Sequence, residues 1–355
     1  MQTLERYRTL FESCAVDGIW LTGEVNRKYC TGAEIAEGMT LLTQNAAYYF
    51  TDSRYLENAE RSLPGFTVRK VDAQHPYAKL LCEAIAAQNV RKLGFEEDEL
   101  TAGQYRKYQK ELPVELVPMQ KELSSFRQVK SERELAYIRK AQAITDETFT
   151  FLLDRIREGM TERELKAELI CSLYRLGSEG PSFDPIVLFG EKTSMPHGVA
   201  GERTLGKGEF ITLDFGCRCG GYCSDMTRTL SFGEPTAEMR EIYALVLRAQ
   251  EAAIAATRAG VTGREVDGVA RSIITDAGYG AYFGHSYGHG VGLKIHEAPF
   301  CSQSWEKPLP AGAVCSAEPG VYLPGKFGVR IEDMVVIREG GVENLTASPK
   351  NLIIL

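Results

Sequence analysis

One pattern occurs twice in this chain, and any fold it adopts must accommodate both copies. Gly159-Met-Thr161-Glu-Arg163-Glu164-Leu165 returns 101 positions later as Gly260-Val-Thr262-Gly-Arg264-Glu265-Val266, and Gly177 returns as Gly278. Each copy contains Thr-x-x-Glu, the capping box in which a hydroxyl and a carboxylate satisfy free amides at a helix start. Each follows a long helical stretch, residues 131–158 and 236–259, and each leads into a strand with histidines after it. Similar caps can also arise independently, because Thr and Glu are favoured at helix starts in any protein. Read as a duplication, the pattern predicts two helix-helix-strand halves packed with pseudo-twofold symmetry around a shared sheet, with a site at their interface.

The rest of the chain reads as a separate, smaller α/β unit. An amphipathic helix is expected near residues 3–14, strands at GIWLTG, AYYFTD, LGFEE and VELVP, and a helix over residues 77–89. The stretch SSFRQVK has neither period, and Ser131-Glu-Arg-Glu134 after it is a capping box that starts a long helix. The predicted division is therefore a domain over 1–122, a linker over 123–130 and a second domain over 131–355. At 355 residues with 44% apolar and 25% charged content, two soluble domains are the natural reading. The net charge of −7 comes without any Lys/Arg block, which argues against nucleic acid as a partner. No window approaches an apolar membrane span, and the charged N-terminus does not resemble a secretory signal. Nine scattered cysteines do not form the paired framework of a small secreted domain, so reduced thiols and a cytoplasmic location are expected.

Chemistry concentrates in the second part. ITLDFGCRCGGYCSDMTRTLSF reads as a hairpin around Cys219-Gly220-Gly221, with Asp214 and Asp225 on facing strands and, by their odd separation, on the same face. Both carboxylates lie near the core, where neighbouring unpaired charges call for a cation between them. The alternative is that they cap turns or pair with Arg218 and Arg228. Cys217, Cys219 and Cys223 lack zinc-ligand spacing and read as hairpin side chains. His285 and His289 sit among four glycines, a composition for a shaped loop or strand end that approaches a ligand closely, and not for a stable helix. Glu318 and Glu332 each stand at the edge of an apolar strand. The set of Asp214, Asp225, His289, Glu318 and Glu332 is oxygen-rich with one nitrogen, suited to Mn²⁺, Co²⁺ or Zn²⁺ and with enough carboxylates to bridge two ions.

ITLDFG, GYCSDMTRT, GHGVGLKIHE, AEPGVY and VRIED, in this order, resemble the pita-bread metallopeptidases, the family of Xaa-Pro dipeptidase, aminopeptidase P and methionine aminopeptidase. The resemblance covers about residues 125–355. It implies a pita-bread fold, an α/β (α+β) arrangement of duplicated halves around a curved, mainly antiparallel sheet. It further implies two divalent metal ions, Mn²⁺ foremost with Co²⁺ or Zn²⁺ as alternatives. Asp214 would chelate the first ion, Asp225 and Glu332 would bridge, and His289 and Glu318 would complete the second. The same resemblance puts Pro196-His197-Gly198, His285, His296, Arg330 and, more weakly, Tyr322 around the substrate. Residues 24–32 and 50–55 look like the creatinase-type N-terminal domain of prolidases and aminopeptidase P, which methionine aminopeptidases generally lack. Creatinase does not keep the five ligands.

The implied activity is metal-dependent hydrolysis of the Xaa-Pro bond at the N-terminus of dipeptides or short peptides, by a homodimer. Two ions can hold and acidify a water, Glu318 would take its proton, and His296 would stabilise the oxyanion. His197, His285 and Arg330 would hold the proline and any residue beyond it. The competing readings are an aminopeptidase without proline preference and a binding protein that kept the fold but lost the chemistry.

Overall fold

The structure, a computed structural model, describes residues 2–355. The chain forms two compact units, Met1–Phe126 and Arg127–Leu355. The break falls inside the stretch read as a linker, whose first residues belong to a short helix, Gln120–Phe126, anchored by buried Leu123. A seven-residue helix held by one apolar residue leaves no periodic signal to read.

The N-terminal unit is built on a six-stranded mixed sheet of β1 (Gly18–Leu21), β2 (Met39–Thr43), β3 (Ala47–Asp52), β4 (Thr67–Val71), β5 (Lys92–Phe95) and β6 (Glu115–Pro118), in the order β4-β3-β2-β1-β5-β6. The expected helices are Gln2–Ser13 and Tyr77–Ala87. Two strands escape a sequence reading. β2 is buried on nearly every residue and so does not alternate, and β4 is an edge strand with exposed Thr67 and Lys70. Buried Glu96 caps the helix Glu24–Thr31 from a distance: its carboxylate accepts from Thr22 N, Gly23 N and Asn26 Nδ2 at 2.6–2.8 Å, because Gly23 at the N-cap has no side chain to do so.

The second unit carries the duplication in its hydrogen bonds. The helices Glu132–Leu153 and Glu162–Arg175 form the first pair, Ala237–Ala256 and Gly263–Asp276 the second, and the second helix of each pair opens with a complete capping box. Gly159 N donates to Leu205 O (2.9 Å) as Gly260 N does to Leu309 O (3.0 Å), and Leu205 N and Leu309 N return bonds to Met160 O and Val261 O. Gly177 and Gly278 both adopt φ 89° just past their helix ends, a left-handed turn that favours glycine.

The strands of this unit pair antiparallel throughout. β7 (Ile186–Phe189), β8 (Glu209–Phe215) and β11 (Met226–Phe232) form one sheet, with β9 (Arg218–Cys219) and β10 (Tyr222–Cys223) as the tip of its hairpin. β12 (Gly288–Gly290), β13 (Glu297–Cys301), β14 (Val314–Ala317), β17 (Asp333–Arg338) and β18 (Gly341–Asn344) form the second sheet. In chain order, β14 and β17 are separated by a two-stranded ribbon of β15 (Gly320–Leu323) and β16 (Phe327–Arg330). The shared sheet expected from sequence is thus two hydrogen-bonded sheets, which meet where Glu332 N donates to Thr227 O (3.1 Å). Gly220 and Gly221 have φ 56° and 77°, the left-handed pair required at the centre of a two-residue hairpin turn. Apolar clusters fill both halves, one under the first helix pair and β7, β8 and β11, the other under the second pair and β14 to β17.

Candidate active site

Each half delivers one carboxylate at the end of a strand and another just before the strand that pairs with it. Asp214 lies on β8 nine residues past Leu205, and Glu318 follows β14 nine residues past Leu309, so the bonds that align the repeats also align these two acids. Asp225 precedes β11 and Glu332 precedes β17. In the first hairpin Asp214 pairs with Thr227, and after an unpaired step the same register resumes at Arg218↔Cys223 and Cys219↔Tyr222, which sets Asp225 diagonally beside Asp214 on the same face. A Cβ at Gly216, opposite Asp225, would lie 1.8 Å from Ser224 O, so the close approach of the strands here requires glycine.

His289 arrives from the middle of β12, at a register shift in its pairing with β13. A Cβ on Gly288 would lie 2.1 Å from Ser316 O and one on Gly290 2.4 Å from Glu297 O. The glycines therefore let β12 nest against its neighbours with the imidazole turned into the cavity. His289 Nδ1 lies 3.2 Å from Gly290 O; only a protonated nitrogen can bond a carbonyl, so Nε2 is the atom left facing Asp225 (3.6 Å) and Glu318 (3.2 Å).

These groups line one cavity of about 250 Å³. Asp214, Asp225, His289, Glu318, Glu332, His197, His285, His296 and Arg330 all face it, together with an apolar wall of Phe183, Ile186, Ile295 and Phe300. Tyr322 is not in the lining but stands against Arg330 and His285, accepting from Arg330 Nη1 (2.8 Å) and meeting His285 Nε2 (2.8 Å). Because His285 Nδ1 is committed to Ser286 O (2.8 Å), Nε2 is the acceptor and Tyr322 the donor. His296 packs its ring on His289 with centroids 4.3 Å apart, and His197 is solvent-exposed at the rim. Two residues not singled out in the sequence tie the acids in place. Thr227 Oγ1 donates to Glu332 Oε2 (2.7 Å) and accepts from Arg330 Nε, while Ser316 Oγ donates to Glu318 Oε1 (2.9 Å) and accepts from His289 N. Neither hydroxyl differs in sequence from an ordinary strand residue.

Four carboxylates, three buried and Glu318 half-buried, share this space with one guanidinium and four imidazoles. Burial pushes Asp225 well above the usual carboxylate range, with Asp214 adding to the rise, and burial followed by repulsion from Asp225 does the same to Glu332. Asp214 is raised by burial in spite of Arg330, whose Nη2 donates to its Oδ2 at 2.5 Å. Burial opposes ionisation of Glu318, but the His289 hydrogen bond and charge bring it down to about 2, and the same partnership overcomes burial to lift His289 to about 9. Burial lowers both His285 and His296.

Asp214 Oδ1 and Glu332 Oε1 have no hydrogen-bond partner among the described residues. Ligand atoms of Asp225, His289 and Glu332 lie within 4.8 Å of one another, all buried. A buried acid cluster with orphaned oxygens, facing an imidazole nitrogen whose partner nitrogen is anchored, is the donor set that a hard or borderline divalent cation completes. All nine cysteines are free, and those of the hairpin, Cys217, Cys219 and Cys223, are buried. Arg228, an alternative partner for the aspartates, is instead bound to Asp333 (2.8 Å). No helix among the described residues is long and apolar enough to cross a membrane.

Comparison with known proteins matches two stretches of the chain to two different family models. Residues 136–339 match metallopeptidase family M24, and residues 4–129 match the creatinase/prolidase N-terminal domain. An Xaa-Pro dipeptidase of Pyrococcus horikoshii is 35% identical, over 96% of this chain and 95% of its own length. Among solved structures, an Xaa-Pro dipeptidase from Bacillus anthracis superposes with a TM-score of 0.96 at 39% identity, covering 100% of this chain and 99% of that one. An X-Pro aminopeptidase from Thermotoga maritima superposes at 0.93 with 35% identity, covering 99% of each.

Proposed function

The chain belongs to metallopeptidase family M24, with a creatinase/prolidase N-terminal domain, and on that premise we propose that it hydrolyses the Xaa-Pro bond at the N-terminus of dipeptides or short peptides. The observation that carries this reading is the pair of orphaned carboxylate oxygens, on Asp214 and Glu332, in a cavity with an apolar wall. Asp214, Asp225, His289, Glu318 and Glu332 would hold two divalent ions, with Mn²⁺ the best match to an oxygen-rich set and Co²⁺ and Zn²⁺ fitting the same donors. Bound there, divalent ions supply Lewis acidity, bringing the pKa of water towards neutrality and polarising a peptide carbonyl.

The chain's own groups do the rest. Glu318, ionised throughout the neutral range, is the proton acceptor, and it hands the proton to the departing proline nitrogen. That nitrogen belongs to a tertiary amide with no N–H, so nothing in the site need accept from it, and the ring rests on the wall of Phe183, Ile186, Ile295 and Phe300. His296 is held neutral by burial and donates to the developing oxyanion. Arg330 and His285 both bond Tyr322, so the two groups proposed to hold the proline side of the substrate are set as one unit, and His197 closes the rim.

Family resemblance supports a homodimer, and the free cysteines support a cytoplasmic location; sedimentation analysis tests the first. Incubation of the Mn²⁺-loaded protein with an Xaa-Pro dipeptide should release proline, and chelation should stop it. Bound metal with no turnover on any proline peptide would favour a binding protein. The structural likeness to an X-Pro aminopeptidase supports a second reading, cleavage of longer peptides. Product analysis on Xaa-Pro against Xaa-Pro-Xaa peptides separates the two.

A further inference from the structure

One buried acid outside the cluster has no part in the hydrolytic chemistry. Glu162 is the first residue of the helix Glu162–Arg175 and is fully buried. An acid in a first helical turn is normally solvated, where the helix dipole already favours it. Here the carboxylate turns inward and collects three donors. Oε1 accepts from Phe189 N (3.0 Å), and Oε2 accepts from Gly201 N (2.8 Å) and from Lys192 Nζ. Lys192 also donates to Val199 O (3.0 Å).

The two amides are the ends of a single excursion of the chain from Phe189 to Gly201, and Lys192 lies within it; the excursion carries Pro196 and His197 to the cavity wall. Apolar packing does not hold its outer part, since Met195 is 55% and Val199 72% exposed. Polar pins do. Besides Glu162, Thr193 Oγ1 donates to Gly190 O (2.6 Å) and accepts from Gly328 N (2.8 Å) on β16, the strand that ends in Arg330. The second repeat has no counterpart of this acid. Its matching position is Gly263, where a Cβ would lie 2.0 Å from Phe300 O, so that half cannot carry an acid there.

We propose that the Glu162–Lys192 ion pair is a clasp that fixes His197 at the rim of the cavity, acting through the loop and not through the metal ligands. The inference rests on the peptidase reading for its kinetic consequence, and on geometry alone for its effect on the loop. Both residues are positioning residues, since neither faces the cavity.

The test uses Lys192→Met and Glu162→Gln in the full chain, with Lys192→Arg as the conservative control. Lys192→Met should lower kcat/KM on an Xaa-Pro dipeptide about 10- to 100-fold, the size of a small misplacement of a contacting group. Lys192→Arg should recover most of the loss, and Mn²⁺ affinity by titration calorimetry should be unchanged in all three. In a His197→Ala background the Lys192→Met loss should not add, because the two changes disable one device. Hydrogen exchange at the amides of Phe189 and Gly201 should quicken in Lys192→Met and Glu162→Gln. Wild-type kinetics, a loss additive with His197→Ala, a parallel fall in Mn²⁺ affinity, or unaltered exchange would each overturn the clasp. If the unmodified protein hydrolyses no proline peptide, the peptidase reading fails, and the exchange measurement still decides whether the clasp exists.

Discussion

Glu332 and Asp333 are neighbours in the chain, both almost wholly buried, and their surroundings are opposite. Asp333 accepts from Arg228 Nη2 (2.8 Å) and Asn344 Nδ2 (2.8 Å) and pairs with Lys350 (2.9 Å); burial alone would raise its pKa, but the two cations hold it below the ordinary range. Glu332 looks the other way, into the cavity, where Thr227 donates to one of its oxygens, Oε1 has no partner among the described residues, and three other carboxylates surround it. The first acid is completed by the protein and works as structure. The second is left incomplete, a state that costs free energy in a fold unless something positive is brought in from outside. The same contrast separates Glu297, paired with Arg127 and Lys130, from Asp225, whose carboxylate meets the His289 imidazole at 3.6 Å.

Four experiments bear on that contrast. The largest effect is expected from Asp225→Asn, which should abolish turnover and lower Mn²⁺ stoichiometry while the metal-free melting temperature stays at or above that of the unmodified protein, since a repulsive charge is gone. Full turnover by this variant would remove the assignment of Asp225. Asp333→Ala should do the reverse, costing about 3 to 5 kcal/mol in urea denaturation because Arg228 is left buried without its partner. Retained stability would mean that the two acids are alike after all. Thr227→Val should weaken metal binding about 10- to 100-fold by calorimetry, the usual size for losing a group that orients a ligand. An unchanged affinity would show that the backbone alone sets Glu332.

The smallest effect is a pH dependence. In metal-free protein Asp225 and Glu332 have folded pKa values above their unfolded ones, so the stability they contribute is full at acid pH and is lost as pH rises through the raised values. Protons also compete with metal for the same oxygens. The melting-temperature gap between Mn²⁺-loaded and chelated protein should therefore be widest at alkaline pH and narrow as pH falls. A gap of constant width would count against cation binding at these acids.

Much of this was legible in the chain before any fold was known. The recurring Thr-x-x-Glu boxes announce themselves because capping is local chemistry, readable within four residues, and both close as complete boxes in the structure. Asp214 and Asp225 could be put on one face because strand periodicity and the Gly220-Gly221 turn are also local. Thr227 and Ser316 could not be picked out, since a buried hydroxyl becomes a positioning group only through partners such as Glu332, 105 residues from Thr227, and His289, 27 residues from Ser316. Strand β2 gives no such signal, because a strand covered on both faces has no alternation to detect.

By itself, then, the sequence determined the repeat, the turn chemistry and which residues were chemically able to bind a cation, because each depends on side-chain type and short-range spacing. Only the tertiary structure decided which buried acids are answered from within and which are not. Asp333 and Glu332 look alike as neighbouring letters, and the difference lies in Arg228 and Lys350, which reach one of them from distant parts of the chain and leave the other facing the cavity.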